Sequence, residues 1–370
     1  MRMVHVTSGL VRRAAGVREV VMGLARAQRE IGMEVSVVGL DHADWAAERH
    51  DWDDIPTRVV PAIGPKKLGY APRLAEILFE QSPDVVHLHG LWMYPGRSVL
   101  QWHRATGRPY LLSTHGMLSR TALTYGRCKK RVVSWLFQDA VFRNATVFHA
   151  TSTGEAEDLR TYGLCGPICI VPNGVSEIAP PEGPPGGGRT ILSVGRIHKI
   201  KALDQLILAW QGLQCDFPDW SVLIVGADEG GEVARLQALI AAMGVQRVVI
   251  RGPVYGAEKV ALMAGAGLFA LPSRSENFAL TVAESLMLGV PVIASQGAPW
   301  PGLETEKCGL WVPFGAQHMA TGLRRLLRLS DDERHNMGQL GRAWMLRDFS
   351  WRAVAERMWP SAGCNIYTAV

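Results

Sequence analysis

No stretch of the chain reaches the ~18 consecutive apolar residues that a membrane-spanning helix needs, so no span is expected. The apolar stretch in MRMVHVTSGLVRRAAG is also too short for a secretory signal, and the expected location is the cytoplasm. Six cysteines, at 128, 165, 169, 215, 308 and 364, form no C-x-x-C pair. Only Cys165 and Cys169 lie close together; without a second pair zinc is not expected, and reduced, buried thiols are. No G-x-G-x-x-G follows an apolar run, which argues against a dinucleotide enzyme, and neither a P-loop nor a G-x-S-x-G is present. The last scarcity is local. Residues 85–138 hold eight Lys/Arg and four His but no Asp or Glu. Residues 1–175 carry 21 basic against 16 acidic side chains and 176–370 carry 18 against 18, so the whole net charge of +5 belongs to the first half. A basic, acid-free stretch fits a surface facing an anion, either a phosphate-bearing acceptor or lipid headgroups.

What is present is a βα rhythm that runs twice. VHVTS (4–8), MEVSVVGL (33–40), PDVVHLHG (83–90), PYLLSTHG (109–116), TVFHATS (146–152) and PICIVPNGV (167–175) read as strands, with 83–90, 109–116 and 146–152 buried. Between the first two, VREVVMGLARAQREIG (17–32) has helical periodicity. Ser152-Thr153-Gly154-Glu155 has the spacing of a capping box, and Asn173-Gly174 reads as a turn. EIAPPEGPPGGGR (177–189) is too rich in Pro, Gly and charge to pack a core. The rhythm then restarts at 190–195, 220–226, 247–252, 267–272 and 290–295. At 370 residues, two doubly wound α/β domains are therefore expected: 1–176, a linker 177–189, and 190–344, with helical sequence in 345–370.

The most informative residues are Glu276 and Glu284, eight apart in LPSRSENFALTVAESLMLGVPVIAS (271–295). LFALP ends a buried strand and SRSENFAL is a loop. TVAESLMLG is a helix closing on Gly289 before Pro291. Glu276 thus falls at the carboxyl end of a parallel strand and Glu284 about one turn into the next helix. Open α/β sheets bind ligands at such a place, and the helix start offers N–H groups to an anion. Carboxylates flanking an N–H-rich turn can take sugar hydroxyls while the turn holds phosphate, an arrangement suited to a nucleotide-sugar.

The same segment resembles the E-x7-E motif of retaining GT-B glycosyltransferases of the GT4 family, and the resemblance extends over most of the chain. It implies two Rossmann-like domains facing a central cleft, with the 345–370 segment crossing back to the first domain. It also implies that Glu276 orients the donor sugar, that Glu284 binds ribose hydroxyls, and that Asn277, Phe278, Ala279 and Leu280 line the donor. The family usually has Gly where this chain has Ala279. At a negative φ the added methyl is expected to cost little and only to narrow the ligand's approach.

Further matches follow. In Gly195-Arg196-Ile197-His198-Lys199-Ile200-Lys201, Arg196 and Lys201 resemble the pair that grips the donor diphosphate, with Lys199 a third candidate. Fixed cations there offset the charge that grows on the leaving group, without a metal. His115, in STHGM, matches a histidine assigned to the donor sugar; His87 and His89, in HLHG, are rivals, His89 as an acceptor-site residue. Gly16 stands where the family's phosphate-approach loop has glycines. Retention of anomeric configuration comes from the resemblance alone.

The expected activity is transfer from a nucleotide-sugar to a saccharide or lipid-linked saccharide, with no cofactor, no metal and no nucleic-acid partner. SQGAPWPGLETEKCGLWV (295–312) resembles bacterial members that build surface polysaccharide or lipopolysaccharide. A nucleotide-sugar epimerase and a non-catalytic nucleotide-sugar-binding regulator are the alternatives. Lys129-Lys130-Arg131 before the apolar run 132–137 predicts a helix with a basic start and amphipathic body. Such a helix suits peripheral attachment to an anionic membrane.

Overall fold

The computed structural model describes residues 1–359 other than 15, 66–67 and 180–187, so most of the Pro/Gly-rich 177–189 segment and the end of 345–370 lie outside the described residues. The chain forms two compact units, Met1–Gly174 joined by the segment from Trp351 onward, and Val175–Ser350.

In the first unit seven parallel strands are ordered β3-β2-β1-β4-β5-β6-β7. They are β1 (Arg2–Thr7), β2 (Glu34–Leu40), β3 (Thr57–Val60), β4 (Val85–His89), β5 (Tyr110–Ser113), β6 (Val147–Ala150) and β7 (Ile168–Ile170). The second unit orders six parallel strands β10-β9-β8-β11-β12-β13. These are β8 (Thr190–Val194), β9 (Ser221–Val225), β10 (Val248–Arg251), β11 (Leu268–Leu271), β12 (Val292–Ser295) and β13 (Gly309–Val312). Each sheet winds one way and then the other, reversing at β1/β4 and at β8/β11. Parallel strands need crossovers of one hand, so this reversal sends neighbouring connections to opposite faces and opens a crevice at the strand ends.

Two strands were not anticipated, β3 and β13. Each is the outermost strand on one side of its sheet. Thr57-Arg58-Val59-Val60 is mostly not buried, so it lacks the continuous apolar run that marks an inner strand. The Asn173-Gly174 turn does not form. Gly174 lies instead against Trp351, whose Cε3 would be 2.3 Å from an added Cβ.

Sheet alternation divides the cores. In the first unit Val4, Val6, Val86, Leu88 and Leu112 face one layer and Met3, Val85, Leu111 and Val147 the other. The helix Gly16–Glu30 covers the second face with Val21 and Ala25. The cysteine expectation needs correction: Cys308 is buried and Cys169 half-buried, but Cys128, Cys165 and Cys215 are exposed. A cysteine in a loop or on a helix's outer face is set by local geometry and not by its average preference for burial.

The 345–350 stretch stays with the second unit. Phe349 packs on Trp300 at 5.2 Å between ring centroids, and the Val175 N–H donates to the Phe349 carbonyl at 2.7 Å. The next helix, Trp351–Met358, packs on Gly16–Glu30 in the first unit through Leu24, Ala27, Val354, Ala355 and Met358. Trp351 sits in a notch made by two glycines, and a Cβ on Gly23 would lie 2.1 Å from its ring. Helix propensity alone would favour Gly23→Ala by about 1 kcal/mol. Overpacking opposes it, so a net loss of about 1 kcal/mol or more is expected in urea unfolding. A gain in stability would mean that Trp351 is not seated on this helix.

Candidate functional site

The β8/β11 reversal is where the second unit gathers its charged residues. The ends of β8 and β9 close on each other because Gly226 has no side chain: a Cβ there would lie 1.7 Å from the Gly195 carbonyl oxygen. Beyond Gly195 the chain makes a short 3-10 turn, Lys199–Lys201, capped by His198 Nδ1, which accepts from the Ile200 N–H at 3.2 Å. The loop after β11 is fastened to this turn and to the loop after β12. The Arg274 N–H donates to the Ile200 carbonyl and the Glu276 N–H to the Gly297 carbonyl, both at 2.8 Å. Gly297 is obligatory, since a Cβ would meet the Ser273 carbonyl oxygen at 2.3 Å.

These constraints bring Lys201 and Glu276 together across 75 residues of sequence. Lys201 Nζ donates to Glu276 Oε1 at 2.6 Å, with side chains only 17% and 11% exposed. The Ser273 hydroxyl donates to the same oxygen. Glu284, in the helix Leu280–Met287, is held separately: Lys259 Nζ donates to both its oxygens at 2.7 Å. Each carboxylate therefore has its own lysine, and the two do not form a proton-sharing dyad. Lys259, on the helix Gly256–Ala264, was missed because 25 residues separate it from Glu284 and no local spacing ties them. Arg196 is exposed and ion-paired with Glu229 at 2.9 Å. Phe278 is buried against Trp300, whose indole N–H donates to the Phe278 carbonyl, so it supports the loop from behind. Asn277 and Leu280 are half-buried beside it.

Ala279 overturns its expectation. Its φ is 65°, in the left-handed region, and it immediately precedes the helix Leu280–Met287. Ala202, at φ 48°, does the same before the helix Leu203–Gln211. Both helices flanking the reversal thus begin without a side-chain cap, leaving their first N–H groups for an anion. The Ala279 methyl therefore bears on backbone conformation as well as on clearance, because a left-handed L-residue costs about 1–2 kcal/mol. Ala279→Gly is expected to raise stability by roughly 0.5–1 kcal/mol, the conformational relief less the added unfolded-state entropy. A lower midpoint in chemical denaturation would contradict this backbone geometry.

In the first unit His115 follows β5 with φ 49°, and Gly116 continues the left-handed turn at 73°. Glu155 clamps this turn. Its Oε1 accepts from the Thr114 hydroxyl and the Gly116 N–H at 2.7 and 2.6 Å, and its Oε2 from the Thr151 N–H and hydroxyl, both at 2.8 Å. Only half of the expected capping box forms: Ser152 Oγ accepts from the Glu155 N–H, while the Glu155 carboxylate is spent on the turn. Burial acts to raise the Glu155 pKa, but bonds from Thr151, Thr114 and Gly116 bring it below the usual value.

His115 Nε2 lies 3.0 Å from His89 Nδ1, and His89 Nε2 lies 2.9 Å from His5 Nδ1. His89, expected as an acceptor-site residue, is buried with both nitrogens engaged, and His87, the other rival of His115, is fully buried. His5, His87 and His89 each bring one ring nitrogen within 4.8 Å of the others, close enough for a metal. Against that use, the His5–His89 hydrogen bond already spans the cluster. No carboxylate belongs to the cluster to offset a buried divalent charge. Gly16 is exposed at the start of its helix.

The acid-free stretch carries an apolar surface. Trp135 is 83% exposed, with Val132 at 56% and Leu136 at 59%, three and four positions apart on one helical side. Phe137 instead packs against the core. Of the basic trio, Lys129 and Arg131 are exposed, but Lys130 is committed inward: its Nζ donates to the Ala122 carbonyl at 2.6 Å and lies 5.7 Å from the Trp92 ring centroid.

Comparison with known proteins decides the family. Residues 15–174 match the family described as "Glycosyl transferase 4-like domain" and residues 175–344 that described as "Glycosyl transferases group 1". The chain is a glycosyltransferase of the GT4-like group. It is 30% identical over 318 residues to a D-inositol 3-phosphate glycosyltransferase of Nocardiopsis dassonvillei, covering 76% of this chain and 74% of the relative. It is 28% identical over 317 residues to the GDP-mannose:cellobiosyl-diphosphopolyprenol alpha-mannosyltransferase of Xanthomonas oryzae, covering 83% and 81%. Among solved structures, Anabaena HepE in complex with UDP superposes with a TM-score of 0.76 at 18% identity, over 97% of this chain and 98% of that one. The glycosyltransferase has the two-domain α/β GT-B fold.

Proposed function

We propose that this glycosyltransferase is retaining and metal-independent, and that it moves a sugar from a nucleotide-sugar to a saccharide or lipid-linked saccharide in bacterial surface-polysaccharide assembly. The observation that carries the donor site is the half-buried Lys201–Glu276 pair between the ends of β8 and β11. Donor hydroxyls replace the lysine on Glu276, and Lys201 turns to the diphosphate beside Arg196 and the uncapped helix starts. Glu284, held by Lys259, takes the ribose hydroxyls. Arg196, Lys199, Lys201 and Lys259 are the cations that can offset leaving-group charge with side chains alone once the donor displaces their carboxylate partners. The departing phosphate accepts the acceptor's proton, and the role proposed for His115 is to meet a hydroxyl of the donor sugar. The named substrates of the Xanthomonas relative, a nucleotide-sugar and a polyprenol-linked saccharide, favour the lipid-linked acceptor.

Glu276→Gln keeps the side-chain volume and an oxygen that can still accept from Lys201 and Ser273. The variant is expected to fold normally and to lose transfer by about 100-fold or more, the scale of losing an electrostatic group matched to the transition state. Activity within threefold of wild type, in an assay that follows donor consumption and product linkage, would remove Glu276 from the mechanism. Donor conversion without an acceptor would favour the epimerase instead.

A lipid-linked acceptor places the enzyme at a membrane, and we assign that contact to Val132, Trp135 and Leu136 with Arg131 and Lys129. Trp favours the membrane interface, and each basic residue near an anionic surface adds about 1 kcal/mol. Wild type is expected to co-sediment with anionic vesicles at low salt. A Lys129→Ser/Arg131→Ser/Trp135→Ser variant, with the inward-facing Lys130 left intact, is expected not to. Equal binding by both proteins would mean that another surface holds the membrane, or none.

A further inference from the structure

Four adjacent inner strands of the first unit carry polar side chains at their carboxyl ends on a single face. His5 of β1 lies directly opposite His87 of β4; His89, two residues on, lies opposite Ser113 of β5; Ser113 lies opposite His149 of β6. The same face begins with Met3, Val85, Leu111 and Val147. Burying imidazoles in such a layer favours pairing of their nitrogens, and the pairing follows two chains.

The first chain has a fixed direction. His149 Nε2 lies 2.7 Å from the Val171 carbonyl, which can only accept, so the proton of the neutral ring is on Nε2. His149 Nδ1 must then accept from the Ser113 hydroxyl at 2.7 Å, and Ser113 Oγ accepts from His87 Nε2–H at 2.7 Å. His87 Nδ1 is left as a buried lone pair without a partner.

The second chain runs to the candidate site. Gln28, on the helix Gly16–Glu30, is fully buried, and its Oε1 lies 2.7 Å from His5 Nε2. With Oε1 toward the ring and Nε2 left buried without a partner, the Gln28 amide accepts, so His5 carries its proton on Nε2 and offers Nδ1 to His89 Nε2–H at 2.9 Å. His89 Nδ1 in turn accepts from His115 Nε2–H at 3.0 Å. We propose that Gln28, His5 and His89 are positioning residues that lock His115 in its Nε2–H tautomer, leaving Nδ1 as an acceptor that recognises a sugar hydroxyl and not a phosphate oxygen. The tautomer lock stands on the hydrogen-bond chain alone; the identity of the group on Nδ1 rests on the donor-sugar role proposed for His115.

The terminus makes this a lock and not a proton wire. A proton arriving at His115 Nδ1 could pass its charge along to His5, but the Gln28 amide cannot take it up. Burial also holds His5 and His115 at about 4, the first opposed by the Gln28 bond and the second by Glu155, so both rings are neutral near pH 7. Among the described residues, the groups around the chain are His87 from β4, the strand of His89, His149 from β6, and Glu155 from the helix Thr153–Tyr162. The carboxylate oxygens of Glu155 are already saturated by the Thr114–Gly116 turn and Thr151.

The test is a long-range ¹⁵N–¹H correlation spectrum of the full chain with ¹⁵N-labelled histidine and no donor present. His5, His89 and His115 are expected to show a single Nε2–H tautomer that persists down to about pH 5. His115 as Nδ1–H, which the opposite orientation of the Gln28 amide would impose, or as an exchanging mixture, overturns the proposal. Gln28→Glu keeps an acceptor at the terminus and is expected to preserve the His115 tautomer; Gln28→Met removes it and is expected to release a mixture. With that mixture kcat is expected to fall about 10- to 100-fold with KM little changed, the usual scale for losing an outer partner that orients an imidazole. If the Glu and Met variants give the same His115 signals, the lock is wrong whatever their activity. If Gln28→Met does not fold, the wild-type and Gln28→Glu spectra still decide. A zinc titration that moves the His87 signals would replace the lock with a metal centre. The spectra need no donor or acceptor, so they fail or succeed independently of the assigned reaction.

Discussion

Both units of this glycosyltransferase depend on one constraint, the right-handedness of the connection between parallel strands. A sheet grown outward from its centre in both directions must send its central crossovers to opposite faces. The carboxyl ends of β1 and β4, and of β8 and β11, are therefore left without a covering helix between them. The loop after β8 brings Lys201 and the loop after β11 brings Glu276, so an ion pair 75 residues apart in sequence is a consequence of winding order. Glycine completes the arrangement. At Gly226 and Gly297 backbone meets backbone closely enough that any side chain would displace the loops holding the charges.

Polarity is handled differently in the histidine cluster of the first unit and in the charged cluster of the second. The second pairs charge with charge, Lys201 with Glu276 and Lys259 with Glu284, in partly exposed positions where either partner can be exchanged for a ligand group. The first uses neutral imidazoles in series and one fully occupied carboxylate. Burial lowers the histidine pKa values, so no counter-charge is required, and hydrogen bonds to every ring nitrogen of His5, His89 and His149 offset the cost of burying them, His87 Nδ1 being left unpaired. Glu155 anchors the His115 turn by two hydrogen bonds while two from Thr151 hold the carboxylate itself, which explains why a non-glycine residue holds a left-handed conformation there.

The acid-free segment shows why composition alone stops short of a surface. Counting charges marks 85–138 as basic, but it does not distinguish Lys130, turned in against Trp92 and Ala122, from exposed Arg131. Nor does it distinguish Trp135, almost wholly exposed, from Phe137, packed on the core two positions later. Which side of a helix faces out is decided by what the rest of the fold packs against it.

Much was legible along the chain because it depends on local period and turn chemistry. The inner strands, the two doubly wound units, and the placement of Glu276 in a loop and Glu284 a turn into a helix all follow from alternation, run length and cap residues. Likeness of short motifs to a known family picked out Arg196, Lys201 and His115. The remainder depends on residues far apart in sequence. The outer strands β3 and β13 lack the double-sided burial that writes itself as a long apolar run. The left-handed φ of Ala279 is imposed by loops fastened to neighbouring strands. Lys259 meets Glu284, Glu155 leaves its own cap to hold the turn beside His115, and five histidines from three strands and a loop, with Ser113 from a fourth strand, fall into two directed chains. Local propensity is a property of neighbours in sequence; these contacts are set by the register of parallel strands, which only the closed sheet supplies.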